Sequence, residues 1–266
     1  MGARLPRISL WLALALVVYV LVAVFGPKFG LIDWKLGFLT MLVAVGPALM
    51  GVVALVAVIA LVMAVVKRPR GEWWKAAAAL AIPVALFAGL LSLKAQGEAV
   101  PPIHDVATDT ANPPEFSAET LAMRESFGAN PVDDYATALN QIPLWAQSER
   151  FRGLPVAAKS HAQIIAQSYG DLKPIAYSSS DADAMAAVAR AMDDIGLSDI
   201  RSDAAAGRVE GTAETLAFGF RDDVVARVRE GRIDLRSVSR VGVSDLGYNA
   251  ARVRDLRKAI SARLGG

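Results

Sequence analysis

Cysteine is absent from the 266 residues, and histidine occurs only twice. The first absence excludes disulfides, thiolate catalysis and Cys-ligated metals. The second leaves no pair of histidines at helical spacing, so no zinc motif can be read. A strong field of one sign is also missing. Lys and Arg number 28 against 26 Asp and Glu, a formal net charge of +2, and nucleic acid is not an expected partner. There is no Ser–His–Asp order, nucleophile elbow or phosphate loop. Most telling, charge is wholly missing from residues 8–25, 36–66 and 76–93.

A helix rises about 1.5 Å per residue, so roughly 20 residues cross a hydrocarbon core. The three uncharged runs predict three membrane helices over residues 1–95, followed by a domain over residues 96–266. Arg4 and Arg7 precede the first run, and Lys67, Arg68, Arg70 and Lys75 lie between the second and third. The first connection carries only Lys28 and Lys35, against Asp33. Short cytoplasmic loops carry the excess of Lys and Arg. The expectation is a multi-pass protein of the bacterial inner membrane, with a cytoplasmic N-terminus and a periplasmic C-terminal domain. Trp34, Trp73 and Trp74 flank the runs, where headgroups favour amphipathic rings. A cleaved signal peptide is the alternative for the first run. The run is long for that, and no small-x-small site follows it before Gly26-Pro27. Gly46-Pro47 interrupts the second run, which reads as one kinked or tilted span or as a broken helix. No ionisable side chain falls inside a run, which speaks against a transport path.

After residue 96 the composition turns soluble. Pro101, Pro102, Pro113 and Pro114 predict an extended segment, and a short helix follows from Ser117. Residues 174–177 read as a strand. Ser178, Ser179 and Ser180 with Asp181 and Asp183 supply the N-cap and first-turn charge of an amphipathic helix that Gly196 stops. Residues 208–216, 223–229 and 232–241 alternate with period two, which predicts three antiparallel strands with one solvated, charged face. Glu230-Gly231 fits a two-residue turn, pairing Val228 with Ile233 and Arg227 with Asp234. Asn249 is expected to cap a last helix. The fold class is thus membrane α-helical plus an α+β domain, a small antiparallel sheet with two helices on one face.

Three polar groups stand out. His104 and Asp105, with Asp109, form a candidate metal-binding or general-base set, against a plainer reading as a loop histidine. Asp222-Asp223 suggest a shared proton or cation, but adjacent strand residues point to opposite faces, and pairing with arginine is the simpler outcome. Arg236, Arg240, Ser244, Asp245 and Asn249 form the densest cluster. It suits an anionic ligand such as a lipid headgroup, or an internal pair of Arg240 with Asp245 or Asp223.

Residues 219–225 and 234–252, the latter reading DLRSVSRVGVSDLGYNAAR, resemble the family catalogued as domain of unknown function 1499. Pro102 to Asp109 with Asn112-Pro113-Pro114 is similar to the family's opening motif, and Asn130-Pro131 and residues 169–174 to its middle. The resemblance covers about residues 101–264 and implies one domain, but no reaction, cofactor or metal. The reading from sequence is a membrane-anchored extracytoplasmic domain with a binding or envelope-structural role. Its partners are the bilayer and an anionic lipid or envelope protein. The alternative is a hydrolase or metal-dependent enzyme centred on His104, Asp105 and Asp109.

Overall fold

The computed structural model describes residues 4–66 and 72–265. Lys67, Arg68 and Arg70, part of the basic flank, lie outside the described residues. The chain divides into two compact units, residues 1–95 with 215–219, and residues 96–214 with 220–266.

In the first unit, α1 (Leu5–Phe25), α2 (Lys35–Val66) and α3 (Trp73–Glu98) are long and apolar enough to cross a membrane. The second run is one continuous helix. It winds as a π-helix over Lys35–Val45 and as an α-helix over Gly46–Val66. The change falls at Gly46-Pro47, where proline has no N–H to give to the ladder. Gly46, Met50, Val53, Ala57, Ala60 and Ala64 are buried. Their spacing alternates between four and three, a seam that faces neighbouring helices. Ala57 meets Ala13 and Leu16 of α1 and Ala79 of α3 in one apolar cluster. Ala48 and Gly51 face outward, so only some of the small residues serve helix packing. Trp11 and Leu55 are 72% and 61% exposed, as suits lipid-facing positions. Arg7 Nη2 donates to Glu72 Oε1 at 2.7 Å, and Lys75 Nζ meets the same oxygen at 2.7 Å. The starts of α1 and α3 therefore lie at the same end of the unit.

The second unit is an α+β domain with more strands than its periodicity predicts. The strands are β1 (Asp105–Ala107), β2 (Ile175–Ala176), β3 (Ser198–Asp203), β4 (Arg208–Glu214), β5 (Arg221–Arg229) and β6 (Arg232–Ser239). They form one sheet in the order β1-β6-β5-β4-β3, with β2 also on β6. Every pairing is antiparallel. The predicted hairpin register holds, with Val228 opposite Ile233 and Arg227 opposite Asp234. Glu230 and Gly231 both have positive φ, 55° and 72°, the turn whose twist matches the strands.

One sheet face carries Val209, Val224, Ala226, Val228, Ile233 and Leu235, all buried in the main core. The helices Asp181–Asp194 and Tyr248–Leu264 pack on it, contributing Val188, Met192, Val253, Leu256 and Ile260. Ser180 caps the first of these by accepting from Asp183 N. The other face is not solvated, contrary to the alternation argument. Phe116 and Val132 cover Val225 and Val238, and α4 (Ala118–Phe127) sends Arg124 onto it. Asp223, Asp234, Arg236 and Arg240 are all buried. Burial of these charges is offset by pairing: Asp234 meets Arg227, Arg236 meets Asp105, and Arg240 and Arg124 share Asp223.

Candidate functional site

His104 precedes β1, whose pairing with β6 sets Asp105 opposite Val238 and Ala107 opposite Arg236. The His104 carbonyl accepts from Ser239 N and from Asn249 Nδ2, each at 2.9 Å. Its ring is sealed and stacks on Trp145 with centroids 5.0 Å apart. His161 is delivered from elsewhere. Ser160 and Gln163 form a capping box that starts the helix His161–Ser168 at this histidine. Such a box satisfies donors at both N-cap and N3. Its ring stacks on Tyr135 at 5.4 Å and meets Trp145 edge-on at 5.1 Å.

Both imidazoles converge on one oxygen. His104 Nε2 lies 3.4 Å and His161 Nε2 3.3 Å from Asp133 Oδ2. None of these three buried atoms has a hydrogen-bond partner among the described residues. Below them Asp105 is tightly held. Arg236 donates to it twice, Nε to Oδ1 at 3.0 Å and Nη2 to Oδ2 at 2.6 Å. Tyr135 Oη donates to Oδ1 at 2.5 Å.

The two carboxylic acids are driven apart. Burial alone would raise Asp105, but the adjacent Arg236 charge and its hydrogen bonds hold this carboxyl below the usual range. Asp133 lacks such a partner, and burial, reinforced by the Asp105 charge, pushes it up to about 8. Burial lowers His104 to about 3 and His161 to about 4. Near neutral pH the cluster is thus two neutral imidazoles around a protonated Asp133, with the charge confined to the Asp105–Arg236 pair. Among the described residues, no group of three or more His, Asp and Glu side chains is arranged to hold a metal ion.

The remaining predicted residues fall into separate places. Asp109 does not join His104; its Oδ2 accepts from Arg227 and Arg232 at 3.2 and 2.8 Å, and both arginines also reach Asp234. Asp222 and Asp223 point to opposite faces, toward Arg252 at 2.7 Å and toward Arg240 at 2.7 Å. Arg124 also binds Asp223, at 2.5 Å. Arg236 and Arg240 therefore serve different carboxylates and form no common fork. Arg240 pairs with Asp223 rather than Asp245.

Asn249 is not the helix cap. It lies inside the last helix, fully buried, accepting from Ser237 Oγ at 2.6 Å and donating to Ser239 Oγ at 2.9 Å. The N-cap is Gly247, and Asp245 just before it receives the N–H groups of the helix start, its two oxygens accepting from Gly247 N at 2.8 Å and Asn249 N at 2.6 Å. Burial raises Asp245 to about 6, against the pull of those two N–H groups. Ser244 Oγ accepts from Leu246 N at 3.3 Å.

A family model described as "Protein of unknown function (DUF1499)" matches residues 105–260. The chain belongs to this family. No curated protein and no solved structure matches it. The DUF1499 match takes in all six strands and leaves α1, α2 and α3 outside it. It also contains every partner of the His104 cluster: Asp105, Asp133, Tyr135, Trp145, His161 and Arg236. Sequence reading missed Asp133, Tyr135, Trp145 and Arg124. The available clue was that the chain's two histidines flank a segment rich in aromatic and acidic residues.

Proposed function

We propose that the protein is a three-span anchor of the bacterial inner membrane that holds its DUF1499 domain on the periplasmic side. There the domain binds or braces envelope components, an anionic lipid or an envelope protein, and performs no catalysis. The distribution of basic residues carries this reading. Arg4 and Arg7 stand at the start of α1, and Lys75 stands in the first turn of α3. The Arg7–Glu72 pair supports it by bringing those two starts to one end. With that end cytoplasmic, three spans leave the domain on the opposite side.

A binding or structural role is favoured over a reaction because the candidate groups are buried or engaged by arginines in separate places. A hydrolase centred on His104, Asp105 and Asp109 needs them to face a common open space. His104 and Asp105 are sealed, and Asp109 is engaged by Arg227 and Arg232. Fusion of reporters to the C-terminus tests the orientation. Alkaline phosphatase is expected to be active there and green fluorescent protein dark; the reverse pattern would overturn the compartment.

A further inference from the structure

The polar face of the sheet is open at one end. A cleft of about 520 Å³ is lined by Arg201 of β3, Arg221 of β5 and Arg240 just beyond β6. Met123, Phe127 and Ile200 form its apolar wall, and Asp199 is the single carboxylate among the lining side chains. Arg221 and Arg240 are neighbours, the Arg240 N–H donating to the Arg221 carbonyl at 2.9 Å. Asp199 has a φ of 53°, beside an irregularity of register between Ser198 and Arg201. Such bulges and left-handed residues gather where a side chain must be re-aimed.

Arg240 is only 4% exposed and lies over the Phe127 ring at 5.4 Å. Its Nε and Nη2 are spent on Asp223 and Thr212. Its Nη1 donates to no described residue. Asp223 must serve Arg124 as well. Two buried guanidiniums thus share one carboxylate, and among the described residues no second carboxylate comes within ion-pair distance of either. A buried charge without its own counter-charge is unfavourable, and Arg240 lines the cleft. Arg221 spends only Nε, on Glu214, and its side chain is half exposed. Both of its Nη groups remain for a ligand. A guanidinium fork matches two phosphate oxygens.

We propose that this cleft binds a phosphate ester with an apolar substituent, the anion held by Arg240 and Arg221 and the substituent lying on Phe127, Met123 and Ile200. This rests on the binding role proposed above and names its ligand class. A phospholipid headgroup and a soluble alkyl phosphate share the chemistry.

The full chain in dodecylmaltoside micelles should be titrated calorimetrically with dihexanoyl phosphatidylglycerol, hexyl phosphate and inorganic phosphate. Saturable binding of an ester is expected, tighter than that of inorganic phosphate. Arg221→Gln, a half-exposed position, should weaken it at least about tenfold, as loss of a charged hydrogen bond does. Phe127→Ala should weaken the esters but not inorganic phosphate. Tighter binding of phosphatidylglycerol than of hexyl phosphate would support a membrane source, and the reverse a soluble ester. No saturable ester binding, or binding that Arg221→Gln leaves unchanged, would overturn the proposal. So would an ester no tighter than phosphate. None of these results bears on the reporter orientation, so the two readings fail separately.

Discussion

Asp133 shows how one side chain links burial to acidity. Its folded pKa of about 8 lies far above that of an exposed carboxyl, so the fold keeps a proton that the unfolded chain releases. The stability this contributes is fully present below about pH 4 and is lost as pH rises through about 8. His104 and His161, lowered to about 3 and 4, act oppositely: their neutral burial favours the fold increasingly up to about pH 6.5. Asp245, raised to about 6, completes its own decline by then. Among the described residues, the Asp133 effect is left alone from about pH 6.5 to 8. Stability should therefore fall between about pH 6.5 and 8, by at most about 1.4 kcal/mol per pH unit. Thermal denaturation across that range checks this, and Asp133→Asn should flatten the slope. An unchanged slope in the variant would assign the effect elsewhere. No sequence pattern announces Asp133. It lies 28 residues from Asp105, whose Oδ2 accepts its N–H at 3.3 Å, and a contact set by tertiary folding leaves no local period.

At the scale of elements, legibility followed the length of the periodic signal. β5 and β6 are nine and eight residues long, enough for alternation to fix the register. β1 and β2 have three and two residues, too few for a period. β3 reads Ser-Asp-Ile-Arg-Ser-Asp, against strand propensity, and is held by pairing with β4. Alternation also misassigned the second face of β5 and β6 to solvent. It reports which side chains share a face but not what covers it. Phe116 comes from an irregular, proline-flanked segment and Arg124 from the short helix α4, and neither carries a period that points to the sheet. The hairpin offers a direct test. Gly231 has a φ of 72°, and an added Cβ would lie 3.2 Å from the Tyr177 carbonyl oxygen. Gly231→Ala should cost about 1 kcal/mol or more, from left-handed strain. Gly196, with a φ of 81° but open space around it, should show the smaller loss when changed to Ala. Melting temperatures of the two variants measure the difference.

For the molecule as a whole, the uncharged runs translate directly into three helices whose outward surfaces are apolar. Alkaline carbonate, which strips peripheral proteins, should leave this chain in the membrane pellet, and only detergent should release it. Appearance in the carbonate supernatant would contradict insertion. The borders of the sheet have a separate consequence. On one side β6 is met only by the short β1 and β2, and between them Thr108 fills the gap, its N–H donating to the Leu235 carbonyl at 2.9 Å. On the other, β3 is studded with Asp199, Arg201 and Asp203 and thrown out of register. Charged, irregular or truncated rims give an incoming chain no template to extend. Even crowded together in the plane of a bilayer, copies of this protein are poorly suited to zip into fibrils, and whatever they associate with must be grasped by side chains.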